Sequence, residues 1–218
     1  MTFKPKIVPL GDAALLIQLG DEIDISINQR VHALAAILDA FPMEGLIEMV
    51  PAYGTLLLHY NPLFLTYANI SKWVRAKLDQ VEETKSRTPQ QIEVPVRYGG
   101  EFGIDLEYVA SNCGLSVEDV IQLHSARTYT VYMMGFTPGF PYMGKLDDAI
   151  VTPRLEMPRT HVPAGTVAIA GSQTGIYPID SPGGWRLIGW TSLQLFDLDS
   201  ESPFLFSPKA HLMRQENR

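Results

Sequence analysis

Between Gly135 and Thr191 the chain meets a backbone corner every few residues: GFTPGFPYMG, then TPRLEMPRTHVPAG, then AGSQTGIYPIDSPGGWRLIGWT. Glycine supplies backbone angles that other residues resist, and proline fixes φ and removes a donor. Runs of three to six β-branched or aromatic residues fit between these corners, which leaves room for short strands and excludes long helices. Such a pattern predicts a closed barrel or a sandwich from Thr128 onward. Arginine, glutamine, threonine, tyrosine and tryptophan stand in or beside the corners, where a rigid sheet holds polar groups at set positions.

The first half reads differently. Lys6–Leu10 and Ala14–Leu19 are predicted strands around the Gly11-Asp12 turn. Ile27, Val31, Leu34, Ala35 and Leu38 follow helical spacing, with Asp24 or Ser26 as N-cap. Leu46–Val50 and Thr55–Tyr60 are predicted strands joined through Pro51-Ala52-Tyr53-Gly54. Ile70, Trp73, Val74, Leu78 and Val81 mark a second helix, whose stripe Lys77 interrupts. Two helices on one face of a small antiparallel sheet bury this pattern economically. The polar segment around EETKSRTPQQ has no periodicity and reads as a linker. The expected organisation is an α+β domain over 1–82, a linker over 83–91 and a mainly-β domain over 92–218. Within the last, Ile92–Val96 is a predicted strand. Asp105–Asn112 and Val117–Ser125 are predicted helices, the second opened by Ser116 with Asp119 three residues on.

Composition narrows the function classes. With 218 residues, 46% apolar and 19% charged, the chain is long and apolar enough for a sizeable core. A net charge of −7 without a Lys/Arg-rich block argues against nucleic acid. No apolar run approaches the length of a membrane span, and the N-terminus lacks the pattern of a signal peptide. Cys113 is the single cysteine, which excludes an internal disulfide or a cysteine-based zinc site and leads to the expectation of a cytoplasmic protein.

Three arginines in the corner-rich stretch, Arg154, Arg159 and Arg186, have the planar fork that binds carboxylate or phosphate; each can equally pair an acid or cap a loop carbonyl. TPRLEMPR places Arg154 and Arg159 each behind a proline. Gln173 and Thr174, flanked by Gly171 and Gly175, present an amide and a hydroxyl to a ligand's amide edge, or else satisfy a hairpin turn. His124 ends the helix VEDVIQLHS and is either a general base or a C-terminal residue favoured by the helix dipole. No histidine pair has metal-ligand spacing, so no metal is expected. Phe136, Phe140, Tyr142, Tyr177 and Trp185 are core packing, with one or two lining a pocket. GxxxxGK[ST], GxGxxG and GxSxG are all missing, which favours a polypeptide that shares its site with a partner.

On these motifs the chain resembles the KipI/allophanate-hydrolase-subunit-1 family. The resemblance runs from about Pro9 to Pro208 and includes VPAYGTLLLHYNP, GLSVEDVIQLHS, YTVYMMGFTPGFPYMGKLD and VPAGTVAIAGSQTGIYPIDSPGGWRLIGWT. It implies a small α/β sandwich followed by a cyclophilin-like β-barrel. It also implies a component of a multi-subunit, ATP-hydrolysing amidohydrolase. In prokaryotic 5-oxoprolinases the family member is the B component, which works with a C component and an A component. ATP is their co-substrate for opening the lactam of 5-oxoproline to glutamate. Other members inhibit a sporulation histidine kinase or form one half of allophanate-degrading enzymes. Carried onto this chain, the resemblance makes Arg154 and Arg159 the holders of anionic groups and His124 an assisting acid or base. Gln173 and Thr174 then orient the lactam, and Phe136, Pro138, Tyr177 and Arg186 complete the substrate-binding set. Two departures stand out: Trp190 occupies a position where Arg or His is common, and the C-terminal FLFSPKAHLMRQENR leaves the last barrel strand unassigned.

Overall fold

The computed structural model describes residues 4–81, 90–206 and 211–217. The chain divides into two compact units, Met1–Thr88 and Pro89–Arg218. Most of the expected linker, residues 83–89, lies outside the described residues; Gln90 and Gln91 begin a strand.

In the first unit, β1 (Lys6–Pro9), β2 (Ala14–Gln18), β3 (Leu46–Pro51) and β4 (Thr55–Tyr60) form an antiparallel sheet in the order β1-β2-β4-β3. Alternation decides which face is buried: Leu15 and Ile17 of β2 and Leu56, Leu58 and Tyr60 of β4 point to one side. Helices α1 (Ile25–Ala40) and α2 (Tyr67–Leu78) cover it with Val31, Leu34, Leu38, Ile70 and Val74. Asp24 caps α1 by accepting from the Ser26 and Ile27 amides at 2.8 and 3.1 Å, and Thr66 caps α2. Buried Asn28 donates to Ala52 O and Tyr53 O at 3.0 and 3.2 Å, tying α1 to the β3–β4 turn. Lys77 lies 3.7 Å above the Phe41 ring, so its break in the apolar stripe is used at the surface.

The second unit is built on β5 (Gln90–Tyr98), β6 (Thr128–Met134), β7 (Pro141–Gly144), β8 (Arg159–Val162), β9 (Thr166–Ala170), β10 (Gln173–Ile176), β11 (Ser181–Gly183), β12 (Arg186–Trp190) and β13 (His211–Asn217). Seven of these close a barrel in the order β10-β7-β6-β13-β5-β12-β9, and β8 and β11 form a separate two-stranded ribbon. Within the C-terminal segment that the sequence leaves unassigned, His211–Asn217 form a strand, parallel to β5 and antiparallel to β6.

Val94, Val96, Val131, Met143, Val167, Ile169, Ile176 and Ile188 fill the barrel from its strands. Helices α3 (Leu106–Cys113) and α4 (Val117–Ser125) add Leu106, Val109, Ala110 and Val120 to the same core. Gly114, at φ 68°, ends α3 in the left-handed conformation that favours glycine. Ser116 and Asp119 form the reciprocal capping box of α4. Among the described residues no helix is long and apolar enough to cross a membrane.

Candidate functional site

Strand alternation sorts the candidate residues onto two sides of the barrel wall. In β9, Val167 and Ile169 belong to the interior, whereas Ala168 and Ala170 belong to a second apolar cluster with Phe140, Val162, Tyr177, Trp185 and Leu187. Thr174 pairs with Ile169 and Met143 and so faces inward; Gln173 pairs with Ala170 and Gly144 and shares the outer side.

The outer side is an aromatic face. Phe140 meets Tyr142, Tyr177 and Trp185 at centroid distances of 4.9, 5.2 and 5.5 Å. Phe136 stands over Phe140 and Tyr177 in edge-on contacts at 5.7 and 6.5 Å. Its φ of 67° is a left-handed angle in a non-glycine residue, and it is 60% exposed. Backbone strain of this kind is retained where the surroundings over-determine it, often at binding loops. Pro138 is exposed in the same loop, and the Thr137 hydroxyl there is buried with no hydrogen-bond partner.

Arg154 lies at the edge of this face, its guanidinium carbon 5.8 Å from the Trp185 ring centre. The backbone on both sides of it is fixed: Arg186 Nε donates to Pro153 O at 3.2 Å, and the Leu155 amide donates to Gly184 O at 2.9 Å. Arg154 makes no ion pair among the described residues and its side chain is exposed. Burial pushes the Tyr142 and Tyr177 phenols up; the charge of Arg154 pulls both down, and that of Arg159 also pulls Tyr177 down.

Arg159 and Arg186 are engaged elsewhere. Arg159 Nη2 donates to Asp105 Oδ1 at 2.9 Å and its Nη1 to Trp185 O at 3.4 Å. Arg186 Nη1 lies 3.8 Å from the same carboxylate oxygen, and its guanidinium lies 3.8 Å over the Tyr108 ring. Their charge is largely committed to Asp105, an acid that sequence reading treats only as the start of a helix.

His124 and Thr174 are inside the barrel and form no part of the aromatic face. Both are 0% exposed. His124 Nε2 lies 2.9 Å from Thr174 Oγ1 and its Nδ1 2.8 Å from the Tyr98 hydroxyl. The Thr174 hydroxyl donates to Ala168 O at 3.1 Å, so Nε2 carries the ring proton and Nδ1 accepts from Tyr98. Burial pushes the Tyr98 phenol far up, in keeping with its role as a donor. The Tyr129 hydroxyl donates to His124 O at 2.8 Å. Instead of sitting at a solvated helix end as a cap, His124 points inward, four residues after buried Val120 on the same helical stripe. Trp190 is also structural: its Nε1 donates to Ala164 O at 2.7 Å and its ring stacks on Phe102 at 5.5 Å.

Two cavities, of about 460 and 240 Å³, open elsewhere, the first lined by Pro95, Val96, Arg97, Trp190 and Ser192 and the second by residues of α4. Neither of these two takes in Arg154 or the aromatic rings.

Residues 5–206 match the family described as carboxyltransferase domain, subdomain C and D. The chain belongs to this family. It is similar to the B component of 5-oxoprolinase from Bacillus subtilis (strain 168), 42% identical over 94% of this chain and 90% of that one. The Escherichia coli O157:H7 protein of the same name is 41% identical over 91% of this chain and 90% of its own length. Among solved structures, TTHA0988 superimposes with a TM-score of 0.81 at 40% identity. This chain is covered to 94% in that match but spans only 40% of the longer TTHA0988 chain.

Proposed function

We propose that this chain is the B component of an ATP-dependent 5-oxoprolinase and that Arg154 holds the substrate's carboxylate against the Trp185–Tyr142–Tyr177 face. The observation that carries the assignment of the site is an exposed arginine, held by its backbone on both sides and without an acidic partner among the described residues, at the rim of an aromatic floor. A guanidinium fork suits a carboxylate, and a flat apolar ring suits an aromatic floor. The names and the identity of the bacterial relatives support the choice of 5-oxoproline, whose lactam ring carries one carboxylate.

A lactam is a stable amide. In the assembled enzyme, transfer of the ATP γ-phosphoryl group to the lactam oxygen activates the ring carbon. Water then adds there, the C–N bond breaks with the nitrogen leaving as the amine, and a second water cleaves the resulting acyl phosphate to give phosphate and glutamate. This chain's part is to bind and orient. Gln173, on the outer side of β10, reads the amide edge, and Phe136 and Pro138 border the ring. Arg159 and Arg186 support the face from behind. His124 and Thr174 hold α4 to β10 across the wall from Gln173. An exposed arginine at the rim of the face fits a polypeptide completed by partners, here the C and A components, in the cytoplasm. The barrel is of the cyclophilin-like kind, following an α/β sandwich over 1–82 and a linker that ends before β5 begins at Gln90.

The test is reconstitution with both partner components, followed by 5-oxoproline-dependent ATP hydrolysis. The wild-type complex turns over. Arg154→Ala raises KM about tenfold to a hundredfold, the range expected for a hydrogen bond to a charged group. A wild-type complex that assembles and shows no 5-oxoproline-dependent hydrolysis refutes the assignment.

A further inference from the structure

Asp105 is 6% exposed, and through two arginines it connects to both halves of the Arg154–Trp185 pair. Its backbone amide donates to Leu187 O at 2.9 Å, and its Oδ2 accepts from the Leu187 amide at 2.7 Å, which docks the start of α3 on β12. The other carboxylate oxygen, Oδ1, faces two guanidinium groups: Arg159 Nη2 at 2.9 Å and Arg186 Nη1 at 3.8 Å. Each of these arginines spends another donor on a carbonyl at the site. Arg159 Nη1 reaches Trp185 O at 3.4 Å, the carbonyl of the residue whose ring underlies Arg154. Arg186 Nε reaches Pro153 O at 3.2 Å, the carbonyl immediately before Arg154.

We infer that Asp105 is a positioning residue: one buried carboxylate fixes two arginine forks, one holding the floor and the other holding the turn that presents Arg154. This rests on the reading that Arg154 binds the substrate carboxylate. The physical requirement for the acid is clear. The Arg159 and Arg186 side chains are largely buried, with exposures of 25% and 12%. Two like charges in such a place repel each other, and they stay together only with an anion between them. Arg186 is also laid on the Tyr108 ring at 3.8 Å, so its fork swings as a unit with α3 if the carboxylate is lost. Asp105 contributes to binding through the arginines alone.

The experiment uses the reconstituted three-component complex carrying Asp105→Asn, Asp105→Glu, Arg154→Ala, or Asp105→Asn with Arg154→Ala. Asp105→Asn keeps an oxygen for the Leu187 amide and removes the charge. Its expected effect is a KM for 5-oxoproline raised about tenfold with kcat within about twofold of wild type, the pattern of lost uniform binding. In the Arg154→Ala background the same substitution leaves KM unchanged, because the residue it positions is gone. Asp105→Glu restores part of the affinity. A merely structural role predicts a loss in kcat or in yield that persists in the double variant. An unchanged KM in Asp105→Asn, or a full additional effect in the double variant, overturns the inference.

A second readout does not depend on turnover. A crystal structure of the Asp105→Asn chain is expected to show the Arg154 guanidinium displaced from the Trp185 ring; an unmoved Arg154 overturns the inference. An inactive wild-type complex would remove the 5-oxoprolinase reading while this displacement still decides the role of Asp105. If Asp105→Asn does not fold, Arg186→Gln, which removes the Pro153 contact, is expected to give the same KM rise, and a wild-type KM there overturns the inference.

Discussion

Replacing Gly183 with alanine tests how tightly the aromatic face is built. A Cβ at this position would collide with the Tyr177 hydroxyl oxygen and lie 2.7 Å from Cζ and 2.8 Å from Cε1. Ordinary contact begins near 3.4 Å, so even Cζ must retreat by about 0.7 Å, the difference between 3.4 and 2.7 Å. The ring has no room to do so, being 1% exposed and wedged against Phe140 at 5.2 Å. Overpacking of a filled site costs about 1–3 kcal/mol. Alanine returns about 0.4–1 kcal/mol by restricting the unfolded chain, because Gly183 needs no left-handed angle. The net expectation is a destabilisation of about 1–2 kcal/mol, read as a lower midpoint in urea with an unchanged slope. Gly184→Ala is the internal control: its Cβ would meet Pro158 at an ordinary 3.5 Å, and a change within about 0.5 kcal/mol is expected. A Gly183→Ala protein as stable as wild type, or a Gly184→Ala protein equally destabilised, refutes the reasoning.

Thr174→Val removes the hydroxyl between His124 Nε2 and Ala168 O; a loss of about 1–3 kcal/mol in urea stability is expected, with substrate KM unaltered, and a shifted KM would return Thr174 to the binding face. Asp119 is held below the usual carboxylate range, first by the Ser116 hydroxyl and then by the Ser116 amide. A depressed carboxyl stabilises the fold above its unfolded value of 3.8 and loses that contribution as pH falls through the folded value. The stability difference between wild type and Asp119→Asn is therefore expected to shrink as pH falls from about 5 to about 3, and a difference that stays constant contradicts the capping role.

The sequence was most legible where a local rule decides the structure. The alternation of ALLIQ and TLLLHY puts Leu15, Ile17, Leu56 and Leu58 on one face, and Ser116 with Asp119 announces a helix start. The candidate site was legible in its residues and not in its sides. GSQTG reads as a polar turn, yet Gln173 and Thr174 are successive residues of a strand and point to opposite faces of the wall. The alternation of Thr174 and Ile176 with Gln173 and Gly175 was the available signal. His124 follows Val120 by four residues, which already places it on the buried stripe of α4. The pairing of Arg159 with Asp105 joins positions 54 residues apart, and no local pattern reports it. The same holds for closure by β13, whose partner β5 lies at the start of the unit.

The central claim is that the Arg154–Trp185 face is where the substrate carboxylate binds. It is tested most directly by a structure of the assembled complex with 5-oxoproline bound. The account predicts the carboxylate within hydrogen-bonding distance of the Arg154 guanidinium, with the ring against Trp185 or Tyr142. A ligand seated instead in the cavity lined by Arg97 and Trp190, with Arg154 facing solvent, would contradict it.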